Sequence, residues 1–141
     1  MKSTSPICVD ASFVVRLVVS DAQVDVVPYW RAWLQDGRKI IAPRLLLYEV
    51  ANAMFQYMRH EILTLSEAGV FFEEIQRFPI TLIDDPNLHF QAIVLASRYR
   101  LHAAYDAHYL ALAQRLNAEF WTCDRRLADK VSKIFPWVHL A

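Results

Sequence analysis

Hydrophobic positions along this chain fall into two recurring patterns: short, almost uninterrupted apolar runs, and longer stretches in which apolar residues return every three or four positions. Ile7-Cys8-Val9 is a run of the first kind, ending at Asp10 and predicting a buried strand. A helical run follows from Phe13 to about Val19, and a second from about Ala22 to Gln35, closed by Asp36-Gly37. Lys39–Ala42 reads as the next strand. Pro43 opens a helix through about Met58 whose inner face is Leu46, Val50, Ala53, Met54 and Tyr57. Thr64 and Glu67 match a capping box for a helix reaching about Phe78, and Thr81–Ile83 is a third strand. Asp85-Pro86 starts a helix with Leu88, Ala92, Leu95, Ala96 and Tyr99 inward. Tyr105, Tyr109, Leu112 and Leu116 mark one face of another helix, which leads into a β-type run at Glu119–Thr122. One or two helical turns from Asp124 and a last strand at Trp137–Leu140 complete the chain.

Strands alternating with helices imply a parallel sheet covered on both faces. The expected fold is a three-layer α/β/α sandwich with a short, mainly parallel central sheet. At 141 residues, with no repeat, linker or low-complexity segment, the whole of 1–141 is expected to form one domain.

Composition narrows the class. The chain is 55% hydrophobic and 21% charged, which suits a globular protein rather than a disordered one. Lys plus Arg and Asp plus Glu both number 15, so no global positive field points to a nucleic acid, although a local patch would not show in the total. Cys8 and Cys123 form neither a disulfide framework nor a C-x-x-C pair and read as buried reduced thiols. The start, M-K-S-T-S-P, lacks a signal-peptide apolar core, and no apolar run is long enough to span a membrane. A cytoplasmic location without membrane contact is expected.

Four acids stand at positions where α/β proteins gather ligands, beside strand ends or in first helical turns. Asp10 ends the first strand in apolar surroundings, where a charge needs a partner, a metal or solvent, unless it only caps the next helix. Glu49 lies about 40° from Ala53 at 100° per residue, at the edge of the apolar face of its helix; pairing with an arginine is the plainer alternative. Asn52 shares that face and could orient Glu49. Asp106 and Asp124 could each cap a helix or favour the positive end of its dipole. Taken together, four acids on elements able to converge at one sheet edge mean more than any one alone. Glu67, Glu73, Glu74, Asp84 and Asp85 read as caps or solvated faces, and Asp129 as a peripheral neighbour of Asp124.

Other chemistries fall away by counting. Two glycines, Gly37 and Gly69, cannot write a Walker A loop or a dinucleotide fingerprint. His60-Glu61 lacks the second histidine of a zinc-protease motif, G-x-S-x-G is absent, and the five histidines show no ligand spacing. What remains is a carboxylate-only site, whose hard oxygens suit Mg²⁺ or Mn²⁺ rather than Zn²⁺.

V-D-A-S at 9–12, P-R-L-L-L-Y-E-V-A-N-A-M at 43–54, Y-D-A-H-Y-L-A-L-A at 105–113 and T-C-D-R-R-L at 122–127 resemble the four motifs of PIN-domain proteins. Among these the chain is most similar to the small VapC-type toxins, over essentially its whole length and with the motifs in order. The third motif is the most specific. The resemblance implies a metal-dependent ribonuclease, commonly a homodimer, held inactive by a co-encoded antitoxin. It carries over Asp10, Glu49, Asp106 and Asp124 as the acidic metal-binding set. Ser12 and Thr122 follow as hydroxyls that hydrogen-bond a carboxylate or water.

Four clustered carboxylates repel one another, and a divalent cation would let all of them stay ionised. RNA also needs positive side chains nearby, and Arg125, Arg126, Lys130 and Lys133 gather just after Asp124. The competing reading is a non-catalytic PIN-like binding or regulatory module. A receiver-type phosphotransfer domain fits less well, since Asp10 is flanked by Val9 and Ala11 rather than by a second acid. Trp30, Trp33, Phe55–Tyr57 and Phe71–Phe72 belong either to the core or to a dimer or antitoxin surface.

Overall fold

A computed structural model describes residues 4–141. Five strands form one sheet: β1 (Ile7–Val9), β2 (Ile40–Pro43), β3 (Ile80–Ile83), β4 (Glu119–Thr122) and β5 (Val138–Leu140). All neighbours are parallel, in the order β3-β2-β1-β4-β5. The chain therefore builds outward from β1 in one direction, then returns to build on its other side. This reversal opens a crevice at the carboxyl ends of β1 and β4, the place where open α/β sheets bind ligands. The expected α/β/α sandwich is present, with a sheet that is wholly parallel.

The helices are α1 (Ala11–Val15), α2 (Val27–Gln35), α3 (Leu45–Arg59), α4 (Leu65–Gln76), α5 (Leu88–Arg98), α6 (Ala104–Leu116) and α7 (Arg125–Val131). β1 is inaccessible to solvent along its whole length, as a central parallel strand covered on both faces must be. Helix α6 packs on α5 and against β1, β2 and β4. The Cys8 thiol, deep in β1, points to the Tyr109 carbonyl of α6 at 3.8 Å.

Several boundaries differ from the sequence reading, each for a local reason. Helix α1 is shorter than predicted, its axis ending in turns after Val15. Helix α2 begins at Val27 rather than Ala22: the Asp25 carboxylate accepts from the Val27 N–H at 3.1 Å, and Pro28 occupies the first turn. Pro43 does not open a helix. It closes β2 opposite Ile83, a strand end where its missing N–H is harmless, and α3 starts two residues later. The Asp85-Pro86 signal is a turn preceding α5, in which the Asp85 side chain accepts from the Asn87 N–H and the helix starts at Leu88.

Helix α6 departs most from its predicted single face. Tyr109 and Leu112 are buried, but Tyr105 and Leu116 at the ends of the stripe are exposed, and Ala107, Leu110, Ala111 and Ala113 are buried as well. Contacts with the sheet and α5 enclose the middle of this helix, and its alanines allow the close approach. The Thr64–Glu67 capping box is formed in both directions, and Gly37 takes a left-handed conformation (φ +66) that ends α2. Trp30 and Trp33 belong to the core; Phe55 is exposed, and Phe71 and Phe72 are half-buried. Both cysteines are free, Cys8 buried as expected and Cys123 only half-buried.

Candidate active site

The parallel register Cys8↔Phe120 and Val9↔Trp121 brings the residues that follow, Asp10 and Thr122, side by side at the sheet's carboxyl edge. Asp10 is buried and collects three donors. Its Oδ1 accepts from the Ser12 hydroxyl at 2.6 Å and the Phe13 N–H at 3.1 Å, and its Oδ2 from the Thr122 hydroxyl at 2.5 Å. The bond to Phe13 is the N-cap of α1, so Asp10 both caps the helix and faces the crevice.

The two hydroxyls tie the strand ends together. Ser12 Oγ lies 3.2 Å from Thr122 Oγ1 and accepts from the Cys123 N–H at 2.9 Å. Thr122 Oγ1 accepts from the Asp124 N–H at 2.9 Å. Asp124 in turn caps α7 by accepting from the Leu127 N–H at 3.2 Å, leaving its other oxygen outside that cap. Glu49 on α3 is half-buried, and its Oε1 accepts from the Tyr109 hydroxyl at 2.5 Å. Tyr109 is thus the residue that orients Glu49; Asn52, proposed for that task from its spacing, is exposed and lines the cleft beside it. Asp106 is half-buried in the first turn of α6.

Electrostatics link these acids. Burial pushes Asp10 up to about 6, against its hydrogen bonds from Ser12, Thr122 and Phe13, and the charge of Asp106 adds to the rise. Burial also raises Glu49; the Tyr109 hydroxyl opposes that shift and Asp106 reinforces it. Asp106 itself is raised by burial and by Asp124, with His102 opposing. The Tyr109 phenol stays protonated, held far above its ordinary range by burial and by Glu49. The charge of Asp106 thus bears on Asp10 and Glu49, and Asp106 shares a hollow with Asp124.

Whether such a set fits a divalent cation depends on donor chemistry and on spacing. The donors are all carboxylate oxygens with mutually raised pKa values, and an added positive charge would relieve their repulsion. Among the described residues, however, no three His, Cys, Asp or Glu side chains are gathered as a ready coordination sphere. The acids form an open electrostatic cluster. A divalent cation held by so open a set would keep waters in its coordination sphere.

Two hollows adjoin the cluster. A cleft of about 580 Å³ is lined by Ser12, Arg16, Tyr48, Glu49, Asn52 and Tyr105, among others. A smaller hollow of about 70 Å³ is bounded by His102, Asp106, Asp124, Arg126 and Lys130. Arg125, Arg126 and Lys130 are exposed, and Lys130 also donates to the Arg100 carbonyl at 3.0 Å. Asp129 is exposed on the same short helix. Sequence reasoning passed over Tyr109, Arg16 and the cleft tyrosines. Tyr109 looked like one more member of an apolar stripe, and no spacing rule links it to an acid on another helix.

Comparison with known proteins bears on the family and the fold. The PIN domain family matches residues 7–133. Ribonuclease VapC3 of Pyrobaculum aerophilum is 32% identical over 127 residues, covering 86% of this chain and 92% of that protein. The crystal structure of PAE2754 from the same organism superposes with a TM-score of 0.67 at 22% identity, covering 90% of this chain and 85% of that one. Mycobacterium tuberculosis VapC20, described as a sarcin–ricin loop cleaving toxin, superposes with a TM-score of 0.63 at 17% identity, covering 92% and 95%.

Proposed function

The chain belongs to the PIN domain family, in its VapC-type branch, and from that premise we propose that it is a metal-dependent endoribonuclease, the toxin of a toxin–antitoxin pair. One observation carries the reading: Asp10, Thr122 and Asp124 meet at the carboxyl ends of β1 and β4, and the charge of Asp106 adds to the burial that raises Asp10 and Glu49. Four acids from four separate elements thus share one electrostatic site, an arrangement that destabilises the ionised protein unless a cation is used there.

In this reading Asp10, Glu49 and Asp106 hold Mg²⁺ or Mn²⁺, and Asp124 completes the set or orients the attacking water. The ion, when bound, supplies Lewis-acid polarisation of a phosphodiester and an activated water. Ser12 and Thr122 fix the Asp10 carboxylate through both of its oxygens, and Tyr109 fixes Glu49. Arg125, Arg126 and Lys130 offset phosphate charge next to the acids. A cognate antitoxin covers the site when the toxin is silent, the working unit is a homodimer, and the chain acts in the cytoplasm; among the described residues no helix is long and apolar enough to cross a membrane.

A second reading has one observation in its favour. No three metal-ligating side chains are gathered among the described residues, as a non-catalytic PIN-like binding module would allow. Incubating the purified protein with a pool of structured and unstructured RNAs separates the two. The nuclease reading expects cleavage with Mg²⁺ or Mn²⁺ that stops in EDTA and returns when metal is added back. Intact RNA under all metal conditions, from folded protein free of any antitoxin, would favour the binding module.

A further inference from the structure

The cleft beside Glu49 has a wall chemistry that the hydrolytic site does not need. Three tyrosines border it, Tyr48, Tyr57 and Tyr105, of which Tyr48 and Tyr105 are strongly exposed, at 76% and 62%. Each of these two directly precedes one of the acids: Tyr48 stands before Glu49 on α3, and Tyr105 before Asp106 on α6. The two rings are thus carried by the same two helices that carry the acids. Asn52, one turn beyond Tyr48, offers an amide with both donors and an acceptor, and Arg16, one nitrogen engaged by Asp21, also lines the cleft.

We propose that this cleft receives one unpaired nucleobase of the RNA, stacked on Tyr48 and Tyr105 and read along its edge by Asn52. This rests on the nuclease reading and adds to it the residues that seat a base of the substrate. Exposed aromatic faces bind bases by stacking, and only a base outside a duplex presents its faces and its pairing edge to a protein. At about 580 Å³ the cleft falls within the range of sites that enclose a small-molecule-sized group. Ser12 and Glu49 line it, so a base seated there holds its own phosphodiester beside Glu49.

Binding measured in EDTA tests this apart from cleavage. Fluorescent oligoribonucleotides would be titrated into the full chain as a single strand, as a fully paired duplex, and as a single strand carrying one 2-aminopurine. The proposal expects single-strand binding to weaken about tenfold in Tyr48→Ala and in Tyr105→Ala, with Tyr→Phe at either position close to wild type. It also expects quenching of 2-aminopurine by the wild type and the Phe variants but not by the Ala variants, and duplex binding unchanged throughout. Both rings are on the surface, so the variants should fold; matching circular dichroism melts check this. Unchanged single-strand affinity and quenching in the Ala variants would overturn the proposal and leave the cleft to a protein partner. Equal loss in Ala and Phe variants would also overturn it, since a hydroxyl contact rather than stacking would then be responsible. RNA cleavage with unaltered binding in the Ala variants would discard the base pocket and keep the nuclease. Tyrosine-dependent binding without metal-dependent cleavage would do the reverse.

Discussion

Asp10 shows how one side chain can serve the fold and the site at a cost. Three donors hold its carboxylate and favour the ionised form, yet burial still lifts its pKa from the ordinary 3.8 to about 6. A carboxyl raised in the folded state contributes stability fully below the unfolded value and loses it as the pH rises through about 6. The move from 3.8 to about 6 corresponds to roughly 3 kcal/mol. Asp10→Asn removes the ionisation, and a turn of the Thr122 hydroxyl can accommodate the amide. The metal-free variant should therefore gain on the wild type as the pH is raised, with a stability difference up to roughly 3 kcal/mol more favourable at pH 8 than at pH 4. Urea midpoints at the two pH values measure this, and a difference that does not change with pH would contradict it. Tyr109→Phe removes the bond that lowers the Glu49 pKa. It should cost about 1–2 kcal/mol of stability and move the acid limb of the pH–rate profile to higher pH; an acid limb that stays put would show that Tyr109 does not tune Glu49. The places of the four acids in the fold could be read from the sequence because each sits at a strand end or in a helix, where spacing rules apply. Tyr109 could not, since its hydroxyl meets a partner 60 positions away.

At the scale of elements, the sequence was most informative where one local signal decides the structure. The capping box at Thr64, the glycine stop at Gly37 and the run Glu119–Thr122 all appear where they were expected. Misplaced boundaries occur where a residue has two good uses. Pro43 suits a first helical turn as well as a strand end, and pairing with β3 decides for the strand. Asp85 suits a cap, but its carboxylate serves the turn before α5 and an ion pair with Arg115 of α6. Helix α6 was read as one-sided because periodicity cannot report that the sheet and α5 both press on it. Helix α7 carries the site's exposed cations directly after Asp124. If Arg125 and Arg126 meet RNA phosphates, replacing both by Gln should weaken binding and reduce the slope of log affinity against log salt by roughly 1 to 2. Binding isotherms across a salt series measure this, and an unchanged slope would remove the patch from the interface.

For the whole molecule, strand order is what turns scattered acids into neighbours. β1 lies centrally, the chain reverses about it, and the carboxyl ends of β1 and β4 join Asp10, Thr122 and Asp124, while the charge of Asp106 on α6 bears on Asp10 and on Glu49 of α3. A formal net charge of zero hides the local pattern, in which Asp124 is followed directly by the exposed cations of α7. Asp106 is the point of greatest leverage, being the neighbour whose charge reaches both Asp10 and Glu49 and which feels Asp124. The most direct test is the rate of RNA cleavage by Asp106→Asn at saturating Mg²⁺, beside wild type at equal protein concentration and equal thermal stability. A four-carboxylate metal site predicts a loss of roughly a hundredfold or more, unrecovered by further metal. Cleavage at the wild-type rate would show that the chemistry does not run through this cluster.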